Sequence, residues 1–382
     1  MCDTRSFRKE YDAFLRRFPY QTAVVEGIKV RYQYGGKKDA PVLLFFNGLE
    51  MQEMWMPYAE KLRERYRFLI YEYPHHTASP EEQIDFAANL LKKLSIEKVV
   101  LIGASDGGVY AQIFAKRHPE LVQAMILTTT LTVDSDYVRD IQKERFSTPL
   151  ILLLLKLVPA KTEMKLLLKK STGFLKCESE ADRSYGRGFY ETVVSDLNYK
   201  KRFIHSFRCV YMLKDYPPFQ ANDFEYLRGR IQILLPENDI FKKEDQNRFA
   251  QLFRKLDAEI RTVPGGHVGF IVQSERYLDL METFLEKIFE GSLFVKKAHP
   301  MKKGVLNMKP DYKNWIPKGM LYSLIAGTVL SLALLLIFGV FVIFFVFRYT
   351  LGLPQAPRLA GGLTMYKQAE AEQNNAKPRD CG

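Results

Sequence analysis

One stretch of the sequence constrains the fold more than any other, because a strand pattern, a glycine-flanked serine and a helix pattern follow one another without a break. The apolar run Lys98–Ile102 predicts a strand and Asp106–Arg117 predicts a helix. Between them lies Gly103-Ala104-Ser105-Asp106-Gly107, a G-x-S-x-G pattern. So sharp a turn needs small residues around it and holds its serine strained, with the hydroxyl exposed. Ser105 is therefore the candidate nucleophile; the alternative is a glycine turn around an inert serine.

Strand and helix patterns alternate along residues 1–290. Strands separated by short helices predict βαβ units, and so an α/β fold with a mostly parallel sheet flanked by helices. The predicted strands are Thr22–Val25, Ile28–Tyr34, Val42–Phe46, Arg67–Tyr73, Lys98–Ile102, Ala124–Thr130, Ile231–Leu235 and Glu259–Val263. The predicted helices are Met54–Tyr66, Ser79–Leu94, Asp106–Arg117, Glu244–Lys255 and Ser274–Phe289.

An insertion at about residues 133–228 breaks this alternation. It is rich in leucine and aromatic residues, and we interpret it as a helical cap over one end of the sheet. Its run Leu150–Leu155 is too short to span a bilayer. The run either packs inside the cap, or lines an apolar substrate entrance or dips into a membrane surface.

A serine hydroxyl needs a base, and the base needs an orienting acid. His267 lies in a glycine-rich loop between the last strand and the last helix, which can place an imidazole over the strand ends. For the acid we favour Asp239, which follows the preceding strand, with Glu237 as its rival. Asp134 and Asp136 are less favoured. The predicted chain order is nucleophile, acid, base.

Hydrolysis through a tetrahedral intermediate also requires backbone donors for the oxyanion. One donor should be the amide of Asp106, directly after the nucleophile. The other should lie in the turn after the third strand, at Leu49, where Gly48 lets the backbone turn. Alone, Asn47-Gly48 is equally typical of an ordinary tight turn.

These motifs together resemble the α/β-hydrolase superfamily over about residues 20–290. The matching elements are Asn47-Gly48, the turn Gly103–Gly108, the loop with Asp239 and Gly265-Gly266-His267. The resemblance implies a mixed eight-stranded sheet, a cap after strand six, and no metal or organic cofactor. Ser105 argues against the dehalogenase and epoxide-hydrolase branches, which use an aspartate. Asn47 is a departure, since many relatives have histidine before the glycine.

Within the superfamily, Glu97–Val99, Gly103–Ser105 and Ala111-Gln112 are similar to the maspardin-like branch. That branch is associated more with protein binding than with hydrolysis, which implies a non-catalytic binding module as a rival function. His267 favours an active enzyme. A cap-containing aminopeptidase or C–C bond hydrolase would share the same triad and is a second rival.

An uncharged, apolar segment long enough to span a membrane follows the hydrolase-like region. Residues 320–347 carry no charge, and at ~1.5 Å per residue they can cross ~30 Å of hydrocarbon. We predict a transmembrane helix at 319–348 after a basic linker at 291–318, with a disordered tail at 349–382. Ser323, Gly327, Ser331 and Gly339 lie at multiples of four, which would allow homo-oligomers through this helix, although chance spacing explains them equally well.

Charge predicts the orientation of the chain. Lys and Arg exceed Asp and Glu by 12, and seven lysines of the excess flank the apolar segment on its upstream side. The positive-inside rule then places residues 1–290 in the cytoplasm, next to an anionic lipid bilayer. Nucleic acid is not an expected partner, because no aromatic-and-basic binding module surrounds these charges. The four scattered cysteines have no metal-site spacing.

The sequence therefore predicts a membrane-anchored serine hydrolase. Ser105, Asp239 and His267 would cleave an ester or related acyl bond in a small-molecule substrate. A leucine- and aromatic-rich cap close to a bilayer suggests, as a hypothesis, a lipid-like or acyl substrate.

Overall fold

The computed structural model describes residues 5–77, 79–135, 152–153, 155–175 and 178–289. The strands are β1 (Gln21–Val25), β2 (Ile28–Gly36), β3 (Val42–Phe46), β4 (Arg67–Tyr71), β5 (Val99–Ala104), β6 (Val122–Thr128), β7 (Ile231–Asn238) and β8 (Glu259–Gly266). The helices are α1 (Phe7–Arg17), α2 (Met56–Leu62), α3 (Pro80–Lys93), α4 (Asp106–Arg117), α5 (Ala160–Ser171), α6 (Glu180–Ser195), α7 (Tyr199–Met212), α8 (Lys243–Arg254), α9 (Gly269–Val272) and α10 (Ser274–Phe289).

All eight strands form one sheet in the order β1-β2-β4-β3-β5-β6-β7-β8. The hairpin β1–β2 is antiparallel and β2 pairs antiparallel with β4. Every other pairing is parallel. The predicted mixed, mostly parallel sheet is confirmed, and its carboxyl edge collects the loops after β3, β5, β7 and β8.

The central strands are buried on both faces. All five residues of β3 and all six of β5 are buried, as their unbroken apolar runs predicted. Two apolar clusters, one on each face of the sheet, cover these strands. Helix packing therefore fixes the strand ends that carry the candidate site.

Helix α3 begins as its sequence predicts. The hydroxyl of Ser79 accepts a hydrogen bond of 3.2 Å from the amide of Glu82, and Pro80 occupies the first helical position. Both features favour a helix start, because they satisfy or remove amide donors that lack partners there.

The described part of the predicted cap is helical. Helices α5, α6 and α7 lie between β6 and β7 in the chain. From the leucine run, Leu153 is 56% exposed, whereas Leu155 packs partly buried against the apolar core. The remaining described side chain of the run, Leu152, is half-buried.

No helix within the described residues is long and apolar enough to cross a membrane. The predicted linker, transmembrane helix and tail at 291–382 lie outside the described residues, as does Asp136.

Candidate active site

Ser105 occupies a strained turn between β5 and α4. Its backbone has φ 55° and ψ −130°, a region that non-glycine residues adopt at a cost of about 1–3 kcal/mol. Its carbonyl accepts hydrogen bonds from the amide of Gly108 at 3.0 Å and the hydroxyl of Thr130 at 2.5 Å. Its amide donates to the carbonyl of Thr128 at 3.3 Å. Contacts from the end of β6, from Thr130 after it and from α4 thus hold the strained turn in place.

Glycines leave space around this turn. A Cβ on Gly107 would lie 2.3 Å from the carbonyl oxygen of Phe46, and one on Gly48 would lie 2.9 Å from Cβ of Ser105. The positive φ angles of the loop after β3 belong instead to Leu49 and Glu50. Gly48 is therefore needed for close approach to Ser105, and our expectation that it supplies the turn itself was wrong.

His267 and Asp239 form a direct pair. Nδ1 of His267 lies 2.6 Å from Oδ1 of Asp239. The aspartate side chain is 1% exposed and the histidine 12%, so the pair is shielded while the imidazole keeps access to the site. Glu237 is exposed, and Asp134 instead accepts a hydrogen bond from Thr132. Of Asp239, Glu237 and Asp134, the acid in contact with His267 is therefore Asp239.

Cap residues that the sequence analysis did not single out support the histidine loop. Glu178 accepts a hydrogen bond of 2.9 Å from the amide of Gly266 and another of 2.9 Å from Gln273. Burial raises the pKa of Glu178, and the Gly266 amide opposes that rise. Glu178 lies just before the cap helix α6 and contacts Gly266, the residue before His267. The position of the cap is therefore coupled to the position of the base.

Two aromatic rings flank the imidazole. The ring of Phe241 stands perpendicular to that of His267 at 5.1 Å, and the ring of Phe174 lies 6.3 Å away. Among the described residues, His267 makes no hydrogen bond with the hydroxyl of Ser105. Such bonds are often long in a site without substrate and shorten when substrate binds.

One of the predicted oxyanion donors meets a carboxylate. The amide of Leu49 donates to Oδ1 of Asp106 at 2.8 Å. Ser206 donates to Oδ2 at 3.1 Å. Burial raises the pKa of Asp106 to about 7, although the Leu49 and Asp106 amides and Ser206 lower it. The Asp106 side chain thus stands where an oxyanion would bind.

Helix α7 of the cap fixes this oxyanion loop. The hydroxyl of Tyr199 donates to the carbonyl of Leu49 at 3.3 Å, and Arg202 donates to the carbonyl of Glu50 at 3.1 Å. Nδ1 of His205 bonds the carboxylate of Glu50. These positions recur every three residues along one helix face, a spacing that could have revealed the contact surface.

Asn47 is buried at the start of the loop. Its backbone amide donates to the hydroxyl of Tyr73 at 2.6 Å, and its side chain donates to the carbonyl of Tyr71 at 3.3 Å. The residue that departs from the common histidine therefore ties the loop to β4 and the residues after it.

Other chemistries find little support in the described residues. Burial raises the pKa of Cys209 to about 12, so its thiol is unreactive at neutral pH. No group of three or more histidine, cysteine, aspartate or glutamate side chains within the described ranges could hold a metal ion. The constellation that remains is a serine, a histidine–aspartate pair and two backbone amides.

Comparisons with known proteins identify the fold family. Residues 41–274 match the family model for the alpha/beta hydrolase fold. The human protein "Serine hydrolase BPHL" is 30% identical over 148 residues, which are 33% of this chain and 51% of that protein. An uncharacterized Mycobacterium tuberculosis protein is 27% identical over 125 residues, 30% of this chain and 36% of its own length. The chain thus spans a third to a half of the curated relatives it matches.

Solved structures share the fold at low identity. A membrane phospholipase A described as a bacterial virulence factor superposes with a TM-score of 0.55 at 18% identity, covering 74% of this chain and 89% of that one. A thermophilic esterase from Thermogutta terrifontis also gives 0.55 at 18% identity, covering 70% and 98%. Since the family model covers more than half of the sequence, the chain belongs to the α/β-hydrolase fold family.

Proposed function

We propose that this chain is a serine hydrolase that cleaves an ester or related acyl bond. The observation that carries the proposal is the shielded 2.6 Å contact between His267 and Asp239. It lies on the same edge of the sheet as the strained Ser105. A buried aspartate that accepts Nδ1–H leaves Nε2 free to act as a base.

The reaction would proceed in two halves. Oγ of Ser105 attacks the carbonyl carbon of the substrate while Nε2 of His267 takes the hydroxyl proton. The oxyanion binds the amides of Leu49 and Asp106 once the Asp106 carboxylate has moved aside. The imidazolium then gives its proton to the leaving alcohol, and an acyl-serine remains. Water, deprotonated by His267, attacks the acyl-serine; the imidazolium returns the proton to Oγ of Ser105 as the carboxylic acid leaves.

The substrate class follows from the surroundings of the base. Phe174 and Phe241 flank His267, so the base has apolar neighbours. This favours an acyl chain or lipid-like ester. An aminopeptidase or a C–C bond hydrolase would use the same triad, so substrate assays must include those classes.

A fluorophosphonate probe tests the proposal directly, because it labels serines that a base activates. The folded full chain should be labelled, and Ser105→Ala and His267→Gln should abolish labelling. Ser195→Ala and His76→Gln change the same residue types outside the triad and should label like the wild type.

One observation favours a second candidate, a non-catalytic hydrolase-like binding module. The Asp106 carboxylate occupies the Leu49 amide, which disfavours the negative charge that hydrolysis would develop there. Absence of labelling in the folded wild type would support this candidate, and labelling that depends on Ser105 would exclude it.

We also propose that residues 319–348 anchor the chain as a single membrane span with residues 1–290 in the cytoplasm. The supporting observation is the uncharged run of the sequence with its upstream lysines. The wild type should resist alkaline carbonate extraction. Leu335→Arg/Phe338→Arg should release it, because each arginine near a span's centre costs about 2.5–3.5 kcal/mol.

A protease added to right-side-out vesicles should spare residues 1–290, and cleavage there would reverse the orientation. Association through Ser323, Gly327, Ser331 and Gly339 belongs to the same proposal. Crosslinking that Gly327→Leu leaves unchanged would exclude it.

A further inference from the structure

The segment around helix α5 has an unusual surface. Three of the four most exposed large apolar side chains in the described part of the chain lie here: Leu157 at 74%, Leu153 at 56% and Leu166 at 54%. A soluble surface helix normally turns such residues inward. The only acid in its described residues, Glu163, is 3% exposed and pairs with Lys200 at 3.6 Å.

Exposed lysines accompany these leucines. Lys161, Lys165 and Lys169 are exposed and spaced four residues apart, so they lie on one side of α5. Like charges at this spacing repel one another. Of the three leucines, Leu166 belongs to α5 itself, and the other two are exposed just before the helix begins. Exposed leucines next to a row of lysines match a segment that lies at the surface of an anionic membrane.

A shallow, open groove of mixed charge lies between α5 and α6. Its volume is about 300 Å³, and its lining residues are Lys165, Leu168, Lys169, Thr172, Arg187 and Glu191. Three cations and a hydroxyl therefore face one carboxylate. Within the described residues, the three cations form no ion pair.

We propose that this face is a docking surface for an anionic phospholipid bilayer. The groove holds a lipid phosphate between Lys165, Lys169 and Arg187, and the exposed leucines insert among the acyl chains. Charge complementarity selects this partner, because an anionic bilayer has a negative surface potential that attracts the cations of the groove, and a zwitterionic bilayer does not. A protein partner with an acidic apolar surface is a separate outcome of the test.

The docking surface leads to the candidate active site. The turn after α5 carries Phe174, whose ring lies 6.3 Å from that of His267. Leu175 of the same turn is 2% exposed. A bilayer on α5 would thus lie beside the entrance to the catalytic base. That lipids reach Ser105 by this route rests on the proposed function; the docking itself does not.

The test places a fluorophore on the surface of the full chain. Leu166→Cys is labelled with bimane after Cys2, Cys177 and Cys381 are changed to serine, while the buried Cys209 stays. The chain is reconstituted in vesicles of phosphatidylcholine, with or without phosphatidylglycerol, that contain doxyl-labelled lipid. We expect quenching with phosphatidylglycerol, and loss of quenching in high salt.

Matched variants distinguish an effect of the groove lysines from a general effect of surface charge. Lys165→Glu/Lys169→Glu should reduce the phosphatidylglycerol-dependent quenching at residue 166 about tenfold. Lys37→Glu/Lys38→Glu makes the same charge change on an exposed loop and should leave that quenching unchanged. Bimane at Val24→Cys, another exposed site, should stay unquenched.

Three results would overturn the proposal: no quenching at residue 166, equal quenching without phosphatidylglycerol, or equal effects of both lysine pairs. Capture of an acidic protein that blocks the groove, without vesicle quenching, would also overturn it and assign the surface to a protein partner. Measuring the same quenching in Ser105→Ala keeps docking separate from catalysis, because fluorophosphonate labelling alone reports the triad.

Discussion

The backbone amide of Leu49 donates a hydrogen bond of 2.8 Å to Oδ1 of Asp106. The residue after the candidate nucleophile thereby carries a carboxylate into the predicted oxyanion hole. Ser206 of the cap holds the other carboxylate oxygen at 3.1 Å. In this arrangement, the substrate must displace a side chain before its oxyanion can bind.

Removal of that carboxylate should accelerate hydrolysis. Asp106→Ala keeps both backbone amides but deletes the competing acceptor. Because one oxyanion donor is worth about 10²–10³ in kcat, we expect kcat for an activated ester to rise roughly tenfold. Asp106→Asn, which keeps a side-chain acceptor without the charge, should lie between. A fall in kcat for folded Asp106→Ala would show that the carboxylate assists the reaction.

The same residue should give stability a defined pH dependence. Burial raises the pKa of Asp106 to about 7, above its ordinary value of 3.8. The folded state therefore holds a proton that the unfolded state has lost, and the free energy of unfolding should fall as pH rises from about 4 to about 7. Asp106→Asn should remove that part of the slope. Urea unfolding at several pH values checks this, and equal slopes in both proteins would refute it.

Backbone strain at Ser105 should be measurable as a difference in the free energy of unfolding between two variants. With φ 55° and ψ −130°, Ser105→Gly should relieve strain that Ser105→Ala retains. After allowing for the extra chain entropy of glycine, we expect Ser105→Gly to be about 1 kcal/mol more stable than Ser105→Ala. Both lack the nucleophile, so unfolding free energies compare them without an effect of catalysis. Equal stabilities would mean that the turn is unstrained.

The sequence predicted the sheet well because its signals are local. The run Val42–Phe46 and the helix Asp106–Arg117 have the predicted bounds. The apolar residues that predict burial of the strand, and the glycines that predict the turn before the helix, are each neighbours in the sequence. Most other ends differ by a few residues, as at β4, which ends at Tyr71 where the pattern suggested Tyr73.

The contacts of the cap could not be predicted in the same way. Glu178 reaches the amide of Gly266 across 88 positions of sequence, and Tyr199 reaches the carbonyl of Leu49 across 150. Such pairs depend on how α7 and the residues before α6 pack against the edge of the sheet. The sequence therefore identified the His267–Asp239 pair but missed what surrounds it.

The choice of acid can be tested by a matched pair. Asp239→Asn keeps the shape of the side chain but removes the charge that orients and stabilises the imidazolium. We expect ester turnover to fall about 10²–10⁴-fold. Glu237→Gln makes the same change two residues earlier on an exposed side chain and should have little effect. Turnover that falls only with Glu237→Gln would reassign the acid.

The anchor of the oxyanion loop offers a stability test with an internal comparison. Arg202 is 4% exposed at its side chain and lies 3.1 Å from Oε1 of Glu53, which is 6% exposed. Arg202→Met leaves a buried carboxylate without its partner, which should cost about 3–5 kcal/mol. Removing both charges in Arg202→Met/Glu53→Met should recover much of that loss, because neither charge is then desolvated.

The comparison is Arg228, which pairs with two acids, Glu225 and Asp257, on an exposed surface. Solvent screens such pairs. Arg228→Met should therefore barely change the urea midpoint followed by the fluorescence of buried Trp55. Equal losses of stability in the Arg202 and Arg228 variants would show that the buried Arg202–Glu53 pair stabilises the fold no more than a surface ion pair does.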